Sequence, residues 1–181
     1  MQVQETVSLN RDCIAVTVPS GDQVLVPDET EVGIVQSLGG SFTILVHGRM
    51  FRIDGEDADA LGKEPPPKPT LPENATDNDV EKLVWEQLKT CYDPEIPIDI
   101  VELGLVYACT VQSLGPANRR VEVEMTLTAP GCGMGDVLGA DIEHKLVAIP
   151  TVEQAYVEVV FDPPWNASMM SDSARLATGM F

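Results

Sequence analysis

Basic residues are scarce. Eleven Lys and Arg stand against 29 Asp and Glu, a formal net charge of −18 over 181 residues. Such a surface repels phosphate backbones, which argues against nucleic-acid binding. No Lys/Arg cluster is present to meet an anionic membrane surface, and no apolar run approaches the length that spans a bilayer. The opening residues, Met1-Gln2-Val3-Gln4-Glu5, lack the basic segment and apolar stretch of a signal peptide. The expectation is a soluble, cytoplasmic protein. Histidine is equally sparse, with only His47 and His144, and the four cysteines, Cys13, Cys91, Cys109 and Cys132, form no C-x-x-C pair. Neither a self-contained zinc cage nor a thioredoxin-type motif is expected. Bound metal would have to draw ligands from a second chain or a small molecule. In a cytoplasmic setting the cysteines stay as thiols.

What is present suffices for a core: 44 % of residues are hydrophobic and 22 % charged. The chain divides at a proline-rich stretch containing Pro65, Pro66, Pro67, Pro69 and Pro72. Such a run favours extended polyproline geometry and behaves as a semi-rigid spacer. The expected organisation is a small β-rich domain over 1–61, a linker over 62–76 and an α/β domain over 77–181. In the first domain, β-branched runs at 13–18, 23–26, 31–38, 42–46 and 50–53 are separated by turn signals. Gly39-Gly40 and His47-Gly48 suit hairpin turns.

The second domain alternates its periods. Val80, Leu83, Val84 and Leu88 recur at helical spacing, with Thr76 or Asp77 placed to cap. A strand over 105–113 follows. Val121, Val123, Met125 and Leu127 then alternate with polar residues, the pattern of a half-buried strand. Met134, Val137, Leu138, Ile142 and Leu146 mark a second helix. A last strand over about 152–161 places Ala155, Val157, Val159 and Phe161 on one face, and a short helix runs from near Ser171 to before Gly179. The order is αββαβ. The fold class is α+β: a small β unit and a two-layer domain with helices on one face of its sheet.

Two constellations carry candidate chemistry. The first is the strand-to-helix junction Thr128-Ala129-Pro130-Gly131-Cys132-Gly133. A thiol beside a helix N-terminus meets unpaired backbone N–H groups that stabilise a thiolate. Gly131 and Gly133 leave that sulfur open to another chain. A tight turn with a packed cysteine is the bland alternative, and it weighs about equally. The second is the loop from Tyr92-Asp93-Pro94-Glu95 to Glu102, between the first helix and the next strand. Its interleaved Ile96, Ile98 and Ile100 argue for order. Asp93 and Glu95 could cap backbone donors, accept a thiol proton or bind a hard cation, and a purely structural Asx-type turn is at least as good a reading. The remaining cysteines read as packed small residues. Asp162-Pro163-Pro164-Trp165 reads as a rigid turn with an indole over a core edge. His144 would lie about 15 Å or more along a helix from Cys132, too far for a Cys–His pair.

Three separated motifs bear a resemblance: Asp93-Pro94-Glu95 through Leu103-Gly104-Leu105-Val106-Tyr107, Met125 through Gly133, and Asp162-Pro163-Pro164-Trp165. Together, over about 77–181, the chain resembles the small-domain family of iron–sulfur cluster assembly factors that includes SufT, and whose domain also occurs in the eukaryotic cytosolic iron–sulfur targeting complex. The segments 36–43 and 54–62 are similar to the N-terminal extension of long SufT proteins. The ending Ala177-Thr178-Gly179-Met180 departs from the Leu-Gly-Met associated with the family. Relatives fused to a P-loop ATPase are excluded, since the chain has no G-x-x-x-x-G-K-[ST].

The resemblance implies a maturation factor, not an enzyme, that helps insert or transfer clusters to client proteins. It implies Cys132 as the motif cysteine and candidate cluster ligand, Asp93 and Glu95 as the acidic motif, and Thr128 beside the sulfur. A cluster usually takes four protein ligands, so one thiolate implies a transient cluster shared with a second subunit, a client or a small thiol. Expected partners are iron–sulfur scaffold or carrier proteins and apo clients, with self-association open. The alternative reading is a metal-free adaptor that recognises clients through its acidic surface and the 93–102 loop. A thiol enzyme is disfavoured, because neither histidine is placed as a base.

Overall fold

In the computed structural model, residues 2–93, 96–129 and 135–179 are described. The chain forms two compact units, Met1–Pro67 and Lys68–Phe181.

The first unit is an open antiparallel sheet of six strands: β1 (Glu5–Ser8), β2 (Cys13–Thr17), β3 (Gln23–Val26), β4 (Glu31–Leu38), β5 (Ser41–Val46) and β6 (Arg49–Ile53), in the order β1-β4-β5-β6-β2-β3. Five of these strands match the β-branched runs. Both central turn residues have positive φ in the β4–β5 hairpin (Gly39 59°, Gly40 79°) and in the β5–β6 hairpin (His47 48°, Gly48 80°). That is the geometry whose twist matches the flanking strands. Alternation buries Cys13, Ala15, Phe42, Ile44, Phe51 and Ile53 on one face. Two elements depart from expectation. Glu5–Ser8 pairs with β4 as an edge strand although its sequence carries no apolar alternation. Gly55–Leu61 forms a 3₁₀ helix, capped by the Asp54 carboxylate, that inserts Ala58, Ala60 and Leu61 into the core.

The second unit runs α1 (Asp77–Leu88), β7 (Val106–Ser113), β8 (Arg119–Met125), α2 (Gly135–Val147), β9 (Val152–Val159) and α3 (Asp172–Thr178). The sheet order is β7-β8-β9, with β7–β8 antiparallel and β8–β9 parallel across α2. This is the mixed α+β architecture expected for it. Thr76 caps α1 through a capping box with Asp79. Val80, Val84 and Leu88 of α1 and Leu138, Ile142 and Leu146 of α2 share one core with Val121, Val123 and Met125 of β8. Leu127 is also buried, but β8 ends at Met125, where the chain turns away. Phe161 is a correction: β9 stops at Val159 and the ring is exposed beyond the sheet. Buried Arg119 ties three segments together, donating from Nε to Asp77 Oδ1 (2.8 Å), from Nη1 to Thr151 Oγ1 (2.7 Å) and from Nη2 to the Ala75 carbonyl (3.3 Å). Among the described residues no helix is long and apolar enough to cross a membrane.

Candidate functional site

The 91–105 segment is ordered by its own backbone. Ile100 N–H donates to the Cys91 carbonyl (2.9 Å), Leu105 N–H to the Ile100 carbonyl (2.9 Å), and Tyr92 bridges Asp99. The Asp99 carboxylate accepts from the Val101 and Glu102 N–H groups, at 3.0 and 2.9 Å. Its burial pushes its pKa up, and those two bonds oppose the shift. Ile100, Leu103 and Leu105 are fully buried in the core. The interleaved apolar residues therefore anchor the loop from within.

A C-terminal strap holds it from outside. The Trp165 indole N–H donates to the Leu103 carbonyl (2.8 Å), Ser171 N–H to the Glu102 carbonyl (2.8 Å), and the Tyr107 hydroxyl to the Pro163 carbonyl (2.7 Å). Gly104 sits at φ +69°, and a Cβ there would lie 2.1 Å from the Met169 carbonyl oxygen. Only glycine admits both the backbone conformation and that approach. The Glu102 carboxylate accepts from the Ser171 and Ser173 hydroxyls, which hold its pKa below the usual carboxylate range.

Asp93 stands at the head of this loop and is buried. Its Oδ1 accepts from Ile96 N–H (2.8 Å), an Asx-type turn, and its Oδ2 accepts from the Thr128 hydroxyl (3.3 Å). The backbone reason is plain: Thr126 N–H donates to the Leu105 carbonyl (2.8 Å), so the end of β8 is joined to the end of the loop. The two sequence motifs, 35 residues apart, thus meet through Asp93 and Thr128. Glu95, Gly131, Cys132 and Gly133 lie outside the described residues, as does Met134 of the expected helix start. The flanking residues are described: Gly135 opens α2, buried against Leu127, whose Cδ1 a Cβ at Gly135 would approach to 2.8 Å.

The other cysteines are wholly or partly buried. Cys13 is in the core of the first unit, where burial pushes its pKa up. Burial, with Glu81 nearby, pushes Cys109 up to about 11. Cys91 is buried, with its Sγ 3.6 Å from the Gln87 carbonyl. His144 is exposed on α2, and His47 belongs to the β5–β6 turn of the first unit. Among the described residues no group of three His, Cys, Asp or Glu side chains could hold a metal ion.

Two features near this region were not singled out in the sequence. The Thr126 hydroxyl is buried and has no hydrogen-bond partner among the described residues. Buried Asp141 pairs with partly buried Lys145 on α2 (3.2 Å), and Lys145 also donates to the Thr90 carbonyl (2.8 Å), tying α2 to the segment after α1. An Asp and a Lys four apart ordinarily read as a solvated pair on a helix surface, which is why the pattern carries no warning of burial.

A family model described as "Iron-sulfur cluster assembly protein" matches residues 81–159, all within the second unit. The chain is similar to an "Fe-S protein maturation auxiliary factor" of Porphyromonas gingivalis, 38 % identical over 99 residues, covering 55 % of this chain and 90 % of that protein. It is also similar to "Fe-S protein maturation auxiliary factor SufT" of Staphylococcus aureus, 42 % identical over 88 residues, covering 49 % of this chain and 96 % of the relative. Among solved structures, a domain of unknown function from Bacillus anthracis aligns with a TM-score of 0.52 at 34 % identity, over 57 % of this chain and 95 % of that domain.

Proposed function

The chain belongs to the iron–sulfur cluster assembly protein family, and from that premise we propose that it is an auxiliary maturation factor that helps insert or transfer clusters to client proteins, with Cys132 as the thiolate that meets the cargo. The observation that carries this reading is the Asp93–Thr128 hydrogen bond, which joins the acidic motif to the strand end from which the Cys132 segment departs. Glu95, Gly131 and Gly133 complete the proposed site. A buried carboxylate that already accepts from Ile96 N–H and Thr128 Oγ1 is a positioning group for this junction. The Thr128 hydroxyl, which donates to Asp93, keeps acceptor capacity of its own.

The surroundings of Cys13 and Cys109 support the choice of thiol, since burial suppresses thiolate formation there, and Cys91 is packed in the core. One thiolate is too few for a cluster, so the proposed cargo is bound transiently, with further ligands from a second subunit, a client or a small thiol. A shared, incomplete site releases what it carries. The relatives are named auxiliary factors, and the proposed role is likewise non-catalytic. Proposed partners are scaffold or carrier proteins of the iron–sulfur machinery and apo clients, in the cytoplasm.

The test is replacement of the chromosomal copy by Cys132→Ser and by Asp93→Asn. Both should lower the activity of iron–sulfur enzymes without lowering the level of this protein. Normal enzyme activity in the Cys132→Ser strain would refute the role given to the thiol.

A further inference from the structure

The N-terminal unit lies outside the matched 81–159 segment, and its sheet has one unguarded edge. Ile14, Val24 and Leu25 are 55 %, 38 % and 58 % exposed, and all three stand on the β2–β3 hairpin. Ile14 and Leu25 are register partners and so adjoin on one face, while Val24 pairs with Ala15 on the other. β3 is the last strand of the sheet. Thr17 N–H donates to the Asp22 carbonyl (2.8 Å), and residues of an antiparallel ladder alternate in direction. Val24 and Val26 therefore bond inward to β2, and the N–H and C=O groups of Gln23 and Leu25 point outward, with no strand beyond them among the described residues.

Edge strands are normally blunted by charge, proline or a bulge. Other edges in this protein are treated so. On β1, Glu5 is held by Lys63 through two short bonds, 2.9 and 2.7 Å. On β9, the Val157 N–H is closed off by the Glu143 carboxylate at 3.0 Å. β3 reads Gln-Val-Leu-Val, with no charge and no proline. Its ends are acidic: exposed Asp22 precedes it, and exposed Asp28 and Glu29 follow it, with Asp12 hydrogen-bonded to Asp28 N–H (2.8 Å).

We propose that β3 is a docking edge that takes an extended segment of a partner protein, apolar at alternate positions and flanked by Lys or Arg, as a seventh strand of the N-terminal sheet. The backbone groups of Gln23 and Leu25 supply the ladder, Ile14 and Leu25 receive the apolar side chains, and the carboxylates at either end receive the flanking cations. A second copy of this chain fits poorly. Antiparallel self-pairing centred on Val24 brings Asp22 of each copy toward the Pro27-Asp28 end of the other, setting like charges together.

The test uses the full chain, isotope-labelled, with the probe peptide Lys-Arg-Val-Thr-Val-Thr-Val-Arg-Lys. Amide exchange at Gln23 and Leu25 should slow on addition of the peptide, while the Val24 amide, already bonded to β2, changes little. A peptide with Glu at the four flanking positions should bind at least about tenfold more weakly. Leu25→Lys, which charges the edge, and Leu25→Pro, which removes an N–H that the ladder alternation points outward, should each abolish the protection. Unchanged exchange at Gln23 and Leu25 in millimolar peptide would overturn the proposal. So would equal affinity for the Glu-flanked peptide. Protection that rises with protein concentration in the absence of peptide would assign the edge to a second copy instead. The wild-type exchange measurement decides even where a variant fails to fold.

Discussion

Replacing Gly104 by alanine should loosen the C-terminal strap from the loop that positions Asp93. Two costs combine. A non-glycine residue at φ +69° costs about 1–2 kcal/mol. The new Cβ would also lie 2.1 Å from the Met169 carbonyl oxygen and 2.8 Å from its carbon, so the strap must move. That movement puts the Trp165–Leu103 and Ser171–Glu102 hydrogen bonds at risk, at about 1 kcal/mol each. The expected loss is about 3–4 kcal/mol, or roughly 15 °C in the melting temperature of a unit this size. Gly179 is the control. It lies in the same unit at φ +70°, with nothing among the described residues within 4 Å of its hypothetical Cβ. Gly179→Ala should therefore show the conformational cost alone, about 1–2 kcal/mol. Both tryptophans, Trp85 and Trp165, belong to the second unit, so indole fluorescence follows its unfolding specifically. Equal losses for the two variants would refute the role assigned to the Met169 contact.

Arg119→Ala should destabilise the second unit by about 3 kcal/mol, because three acceptors on three segments lose one buried guanidinium. Arg119→Lys should recover little of it, since a single ammonium cannot reach the acceptors of a planar fork; recovery of full stability in the urea transition would contradict this. Alkylation by iodoacetamide at pH 8 should spare Cys109, whose thiol stays neutral until the pH nears about 11; rapid modification there in the folded protein would contradict its burial. The same shift makes stability fall as pH rises from the ordinary thiol value of 9.0 toward 11, because the unfolded thiol ionises while the folded one does not. Cys109→Ala should flatten that part of the urea-midpoint profile. For Glu102, whose pKa is lowered by its serine partners, stability is lost as pH falls through the carboxylate range. Glu102→Gln should make the melting temperature less acid-sensitive there.

Much of the fold was legible because local signals and packing agree. The alternation of Val121, Val123 and Met125 marks β8, and their burial under both helices explains the pattern. Gly39-Gly40 and His47-Gly48 supply positive φ where the hairpins need it. The loop after α1 was readable as ordered because Ile96, Ile98 and Ile100 contribute apolar side chains to the core. What stayed hidden depends on tertiary context. β1 is a strand only because β4 offers it an edge, and the acidic 55–61 segment becomes a 3₁₀ helix because Ala58 and Ala60 are small enough to bury. Phe161 continued an alternation that the sheet itself does not continue. In the candidate site, Asp93 and Thr128 were both singled out, but nothing in their 35-residue separation predicted the bond between them. Asp141 was invisible, since i,i+4 spacing to Lys145 does not distinguish a buried pair from a solvated one.

Anaerobic reconstitution with iron, sulfide and a small thiol tests the central claim most directly, comparing wild type with Cys132→Ser by visible absorption and bound iron per chain. Wild type should gain a labile chromophore that an apo client removes, and Cys132→Ser should gain none while melting like wild type. Equal iron and equal absorption in the two proteins would contradict Cys132 as the residue that meets the cargo.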